Sequence, residues 1–286
     1  MTGDGWASEV RRQLGLGRVL ALGGAGDGAW VTESAAAAVL RRAAERVTGA
    51  RLTAVRVALA DPDAAYVSPA ARVSPDAYAS TVPAPPSALP PGPLRISGDV
   101  AAGTGEPLPA VAARLRAALA TAAVDRLGLV VAEVDLRVTA LLDEVPGGLG
   151  TAADSAGPDA TGASGAAATS DASSTSDASD VSDVSDASGD EGRVARAVLA
   201  VPGVTRLTGA LGGLGRAVHL QELESLNSLP RRHVRVELAV AGDRRALDVA
   251  RAVRAAVGGA LPDRPSAAVL VTGVDEPGRG RPAGPV

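Results

Sequence analysis

Apolar residues recur at helical spacing in two distant stretches, and the two stretches carry one pattern. Val111-Ala-Ala-Arg-Leu-Arg-Ala-Ala-Leu119 aligns without gaps on Val249-Ala-Arg-Ala-Val-Arg-Ala-Ala-Val257, with five of nine positions identical. Val111, Leu115 and Leu119 in one copy, and Val249, Val253 and Val257 in the other, fall four apart on one helix face. Each copy is followed by a β-branched run, Leu129–Val138 and Ala267–Thr272, and preceded by another, Leu94–Ser97 and His233–Val240. The pattern predicts strand, helix, strand, twice over.

A further helix is predicted ahead of each copy. Thr32 is a good N-cap, Glu33 complements the helix dipole, and Val39, Leu40, Ala43 and Val47 form the stripe that Gly49 ends. Leu52–Leu59 then alternates as a half-buried strand. In the second half Val198 and Val201 lead into the Pro202-Gly203 stop. Val201-Pro-Gly-Val-Thr-Arg-Leu207 echoes Val47-Thr-Gly-Ala-Arg-Leu52. Strands are expected at Val204–Leu207, Ala217–Leu220 and Val234–Val240. The last helix should run from Arg244, pair Arg244 with Asp248, and stop at Gly258-Gly259.

Two stretches interrupt the pattern. Residues 61–93 are rich in Pro, Ala and Ser and read as an irregular, mobile insertion. Residues 145–191 are dominated by Gly, Ala, Ser and Asp and read as a disordered linker, because too little apolar surface offsets the entropy of ordering. The expected architecture is therefore α/β, of two-layer α+β type. Two tandem small sheets are each covered by two helices and joined by the linker. A short helix and a Gly-rich turn occupy residues 1–27. The first unit spans 28–144, the second 192–276, and residues 277–286 form a frayed tail.

Composition narrows the chemistry. The chain has 286 residues, no Cys and no Phe, and its only aromatics are Trp6, Trp30, Tyr66 and Tyr78. Thiolate chemistry is excluded, and no strand offers the aromatic platform on which single-stranded nucleic acid stacks. All 28 basic residues are Arg, as in chains from GC-rich bacterial genomes, so lysine Schiff bases and a P-loop lysine are excluded too. Nine of the 32 acids lie in residues 151–191, which hold no base, and the other 23 face 28 arginines. No apolar run approaches the roughly 18 residues of a membrane span, and residues 1–27 lack a secretory pattern. A soluble cytoplasmic protein that does not bind nucleic acid is expected.

Candidate sites are few. Gly24, Gly26 and Ala29 fit a G-x-G-x-x-A spacing after a strand, so Gly24–Gly28 is the nucleotide-loop candidate, with Asp61 or Asp63 as the downstream acid. A plain turn is the competing reading. Trp6, Val10 and Leu14 share a helix face that would dock on a partner or on the neighbouring domain. Arg114 and Arg116, with Arg251 and Arg254, lie on outer helix faces. They would hold an anionic partner, be masked by the acidic linker, or be plain solvated surface. Glu133 and Asp135 share a strand face and would pair as acid and base or form an exposed polar edge, and His219 and His233 read as exposed strand-end histidines. Ser164 lacks the strand–turn–helix setting of a nucleophile, and Asp177, Asp180, Asp183 and Asp186 lack a calcium-loop spacing. No catalytic set, cofactor or metal site is assigned.

Several segments resemble the alkaline-shock family of envelope stress response proteins, in a divergent tandem form of actinobacterial type. They are Gly28-Ala-Trp-Val-Thr-Glu-Ser34, Val201-Pro-Gly-Val204, Val249-Ala-Arg-Ala-Val-Arg254 and Val269-Leu-Val-Thr-Gly-Val274. The likeness covers about residues 28–60 with 94–142, and 192–275. The proline-rich insertion, the acidic linker and the missing Tyr-Gly step at Ala241-Gly242 depart from it. The resemblance implies a non-enzymatic scaffold tied to envelope homeostasis, acting through a protein partner or self-association, with no functional residue to carry over. The alternative is a nucleotide-binding enzyme using Gly24–Gly28.

Overall fold

The computed structural model describes residues 15–62, 82–85, 87–142, 189–209, 216–225 and 228–276. It has mixed α/β content, with two separate sheets and four α-helices among the described residues. The strands are β1 (Val19–Ala21), β2 (Ala29–Thr32), β3 (Ala50–Leu59), β4 (Leu94–Gly103), β5 (Val131–Leu142), β6 (Val204–Leu207), β7 (Val218–Ser225), β8 (Ser228–Ala241) and β9 (Ser266–Asp275). The helices are α1 (Glu33–Glu45), α2 (Leu108–Thr121), α3 (Asp190–Leu199) and α4 (Ala246–Ala260). One sheet has the order β3-β4-β5, and the other runs β1-β2-β9-β8-β6 with β7 also on β8.

The duplication is present in backbone detail. Helix, strand, strand, helix and strand correspond between the halves as α1-β3-β4-α2-β5 and α3-β6-β8-α4-β9, the second half carrying β7 as an extra strand between β6 and β8. The first strand pair is antiparallel and the second parallel. The turn out of the first helix uses a glycine at positive φ in both, Gly49 at 81° and Gly203 at 101°. Each glycine carbonyl accepts from the end of the next long strand, Gly103 N–H to Gly49 and Ala241 N–H to Gly203, both at 2.9 Å. Each final strand bulges at a threonine whose hydroxyl reaches back across the parallel pair. Thr139 donates to Val100 O at 3.4 Å and Thr272 to Leu238 O at 3.3 Å. A hydroxyl at a bulge satisfies a carbonyl that the ladder skips.

The aliphatic face that repeats in sequence is the buried one. Val111, Leu115 and Leu119, and Val249, Val253 and Val257, are all at most 2–4% exposed. They join the helix-facing residues of both sheets, Val57 and Ile96 on one and Val236, Leu238 and Val269 on the other, in one continuous core. Truncating any of these side chains to alanine removes burial worth roughly 2–5 kcal/mol for a leucine. Helix α1 lies against both β3 and β9, so the halves share a core. Its start is fixed as expected, with Thr32 Oγ1 accepting from Ala35 N–H at 3.3 Å. Glu33 does more than face the dipole. Its carboxylate accepts from the Arg18 side chain and from Val57 N–H at 3.1 Å, tying the segment before β1 to β3. Burial opposes its ionisation, and those hydrogen bonds outweigh burial and hold its pKa below the ordinary value.

The structure departs from the expected plan in several places. Strand β2, expected to open the first unit, pairs parallel with β9 of the second half, Trp30 opposite Leu270. All four β2 residues are buried, so the strand needs a sheet that is covered on both faces, and β9 supplies one. The acidic segment ends sooner than residue 191, because Asp190 and Glu191 open α3. The proline-rich insertion is anchored at its end. Leu89 N–H donates to Val19 O at 2.8 Å, and Val82 packs with Trp30, Ala268 and Leu270. Helix α4 continues through Gly258 and Gly259 to Ala260, and Asp248 pairs with Arg245 and Arg251 in place of Arg244. The stem of Arg244 packs instead over Gly203.

The two equivalent glycines give a test of this packing. A Cβ on Gly203 would stand 2.8 Å from Val249 Cγ2, whereas one on Gly49 would stand 3.5 Å from the equivalent Val111 Cγ2. Gly49→Ala should cost about 1 kcal/mol from left-handed backbone strain, and Gly203→Ala about 3 kcal/mol because overpacking adds to it. Denaturant unfolding midpoints of the two variants would show this difference.

Candidate functional site

The glycine turn closes on itself. It connects β1 to β2, with Gly23 at φ 69° and Gly28 at φ 57° on either side of a short 3-10 turn, Ala25–Asp27. Asp27 folds its carboxylate back into the turn. One oxygen accepts from Gly24 N–H at 2.7 Å and the other from Arg251 Nε of α4 at 2.9 Å. The hydrogen bond from Arg251 holds the Asp27 pKa below the ordinary value, against a smaller opposing effect of burial. Arg254, one turn further along α4, donates from Nη1 to the carbonyls of Gly26 (3.0 Å) and Asp27, and from Nε to Ala267 O at 3.0 Å. A Cβ on Gly28 would lie 2.9 Å from the Arg254 guanidinium, which explains glycine there.

This is the geometry of an anion cradle whose anion is the protein's own carboxylate. An N–H and a guanidinium converge where a phosphate oxygen would be held, and Asp27 is the group they hold. Gly24 and Gly26 are exposed, and Asp61 stands at the exposed end of β3, in the other sheet. The residues singled out for a nucleotide are thus divided between two sheets.

The arginines picked from the helix faces are also engaged. Arg114 pairs with Glu106 at 2.7 Å and donates to Thr48 O at 3.3 Å, and Arg116 donates to Val134 O at 3.2 Å. With Arg251 and Arg254 on the glycine turn, all four make hydrogen bonds within the fold, while Arg114, Arg116 and Arg251 remain exposed at the surface. Asp190 of the acidic segment pairs with Arg193 and with Arg232 of β8 at 2.5 Å, not with these four. Arg95 reaches both Glu133 (2.8 Å) and Asp135 (3.5 Å), so the candidate acid–base pair is a salt-bridged strand surface. Trp6, Val10, Leu14, Asp63, Ser164 and the aspartates at 177–186 lie outside the described residues.

The sequence reasoning missed a polar row on the face of the larger sheet turned away from α3 and α4. The register sets His219 opposite Arg235, His233 opposite Ser266, and Glu237 opposite Leu270, which itself neighbours Trp30. His233 is 3% exposed and Glu237 fully buried, so His233 is not the exposed strand-end histidine expected. His219 is half-buried. Arg235 Nε lies 3.7 Å from the Glu237 carboxylate. His233 Nδ1 shares a 2.8 Å hydrogen bond with Ser266 Oγ. Burial, then the charges of Arg235 and Arg254, lowers the His233 pKa, and burial and Arg235 do the same to His219.

A serine bonded to a histidine supplies two members of a nucleophilic triad, but the third is misplaced. The triad acid must hold the imidazole from its other side. Here the nearest partner along β8 is the cation Arg235, and Glu237 is four residues further on. Among the described residues no three His, Cys, Asp or Glu side chains are grouped to hold a metal ion. The alternation His233-Val-Arg-Val-Glu237 was the available signal, and it shows which residues share a face without showing that the face is covered. No family model, curated protein or solved structure matches this chain.

Two outcomes follow. The unfolded chain takes up protons that the folded histidines refuse, so stability should fall as pH is lowered through and below the ordinary histidine value of about 6.5. Asp27 and Glu33 add a second loss below their ordinary values of 3.8 and 4.5. Urea midpoints between pH 7 and 5 should slope for the parent and slope less for His233→Gln, with the rest of the slope removed by adding His219→Gln. Arg254→Ala strips donors from three carbonyls and should cost about 2 kcal/mol. Faster amide exchange across residues 24–28 would accompany it.

Proposed function

We propose that this chain is a non-enzymatic scaffold that works in the cytoplasm through protein contacts, by partner binding or self-association. One observation carries the reading. The turn best suited by sequence to cradle a phosphate is closed by Asp27, Arg251 and Arg254 of the chain itself. The engaged helix arginines and the salt-bridged Glu133–Asp135 surface support it. So does the shared aliphatic core, which spends the duplicated helices on packing. Among the described residues no helix is long and apolar enough to cross a membrane. A link to envelope stress homeostasis is proposed from the family resemblance alone, and it would run through a membrane-associated partner.

The intact chain, tagged and captured from its own host, should bring down a protein partner or a second copy of itself. Its thermal midpoint should stay unchanged in millimolar ATP or dinucleotide. A saturable rise with either ligand would restore the nucleotide-enzyme reading in its place.

A further inference from the structure

The two repeats end on equivalent strands with different fates. The outer edge of β9 is occupied by β2, while β5 pairs with β4 alone among the described residues. Strand β5 is 12 residues long and presents a row of backbone donors and acceptors on that edge, among which Val134 O also accepts from Arg116 of α2 at 3.2 Å. Its exposed apolar residues, Val138 at 42% and Leu141 at 61%, contrast with Val269, Leu270 and Val271, which are fully buried beside β2. The fold therefore has a place for a strand beside the last strand of each repeat, and among the described residues one of the two is open.

The charges on β5 say which strand fits. Glu133, Asp135 and Arg137 face away from the helices, with Val134, Leu136 and Val138 on the opposite face. Asp135 and Arg137 are symmetric about Leu136. An antiparallel copy of the same strand, centred on Leu136, brings each Asp135 opposite an Arg137. It also brings each Val134 opposite a Val138 and each Glu133 opposite a Thr139. Arg137 makes no ion pair among the described residues, and Arg95 engages Asp135 only at 3.5 Å. Charges of this kind on an edge repel most strands, and here they match one.

We propose that the β5 edge is a homodimer interface, in which two copies pair β5 with β5 antiparallel about Leu136 and join their three-stranded sheets into one of six. This rests on the scaffold reading above and specifies its self-association. The seven residues Glu133–Thr139 form the seam, with two Asp135–Arg137 pairs on one face and the Val134, Leu136 and Val138 contacts on the other. A closed two-fold contact of this sort uses the β5 edge of both copies at once, so pairing through that edge stops at the dimer.

Sedimentation velocity of the full chain across micromolar concentrations tests it. The parent should dimerise. Asp135→Arg and Arg137→Asp each set like charges across the seam and should weaken dimerisation about tenfold or more. The double variant restores complementarity and should recover most of the loss. Because the chain has no cysteine, Leu136→Cys gives an independent reading, and oxidation should link two copies through that position. Circular dichroism of each variant separates a lost dimer from a lost fold. A dimer indifferent to all the charge variants and not linked at position 136 would overturn this edge while leaving the scaffold reading standing. A parent that stays monomeric yet captures a different protein would also overturn it alone. A monomer that captures nothing would remove both.

Discussion

A parallel strand pair needs a crossover, and the crossover leaves the strand it ends on with one side unpaired. That constraint governs this molecule twice. Helices α2 and α4 carry the chain from β4 to β5 and from β8 to β9, and each final strand then waits for a neighbour. In the second half β2 arrives, and because β2 runs straight into α1, it fixes the first helix of the other half against β9. The union of the two repeats into one core is therefore a consequence of edge pairing. Neither repeat alone has the size at which a single core is comfortably stable, so the fusion serves both.

Polar groups follow the same logic of closure. Asp27 answers the N–H of its own turn, and Arg251 and Arg254 bind that turn to α4. Across the junction of the halves, Arg126 donates to Gly242 O and Arg245 to Val124 O, so the two repeats exchange one arginine each. Arg42 adds a bond from α1 to Val274 O. With no lysine in the chain, every long cation carries a fork of planar donors, and the structure uses those forks on carbonyls at helix and strand ends. Among the described residues, the row His233, Arg235 and Glu237 is where ionisable groups lie deepest, between β7 and β9 on the far side of the sheet.

Much of this was legible in sequence, and the reason is local. The Val111 and Val249 helices and the Gly49 and Gly203 turns could be aligned because each is specified by a few neighbouring residues. So could the Thr32 cap. The partner of β2 could not be read, since Ala29–Thr32 is apolar on both faces and would suit any covered edge. Strand β8 begins six residues before its predicted start because Ser228–Arg232 look like a loop by composition, and pairing with β7 overrides that. The polar row was misjudged for a similar reason. Alternation assigns residues to a face, and only tertiary structure decides whether water reaches it. The glycine loop is a turn, the competing reading of Gly24–Gly28, and Asp27 was overlooked as the group its donors hold because it lies inside the motif.

The pairing of β2 with β9 also sets the order in which the protein can be completed. Trp30 and Leu270 are neighbours in space and nearly the length of the chain apart. During synthesis the β1–β2 hairpin emerges well before β9 and must wait until that strand has left the ribosome before β2 has a sheet to join. Contacts of such separation slow folding, since the loop between them must close before it is rewarded. Until then the apolar flank of β2 and the underside of α1 stand open to chaperones, and a chain cut short before Val269 would leave both halves unfinished.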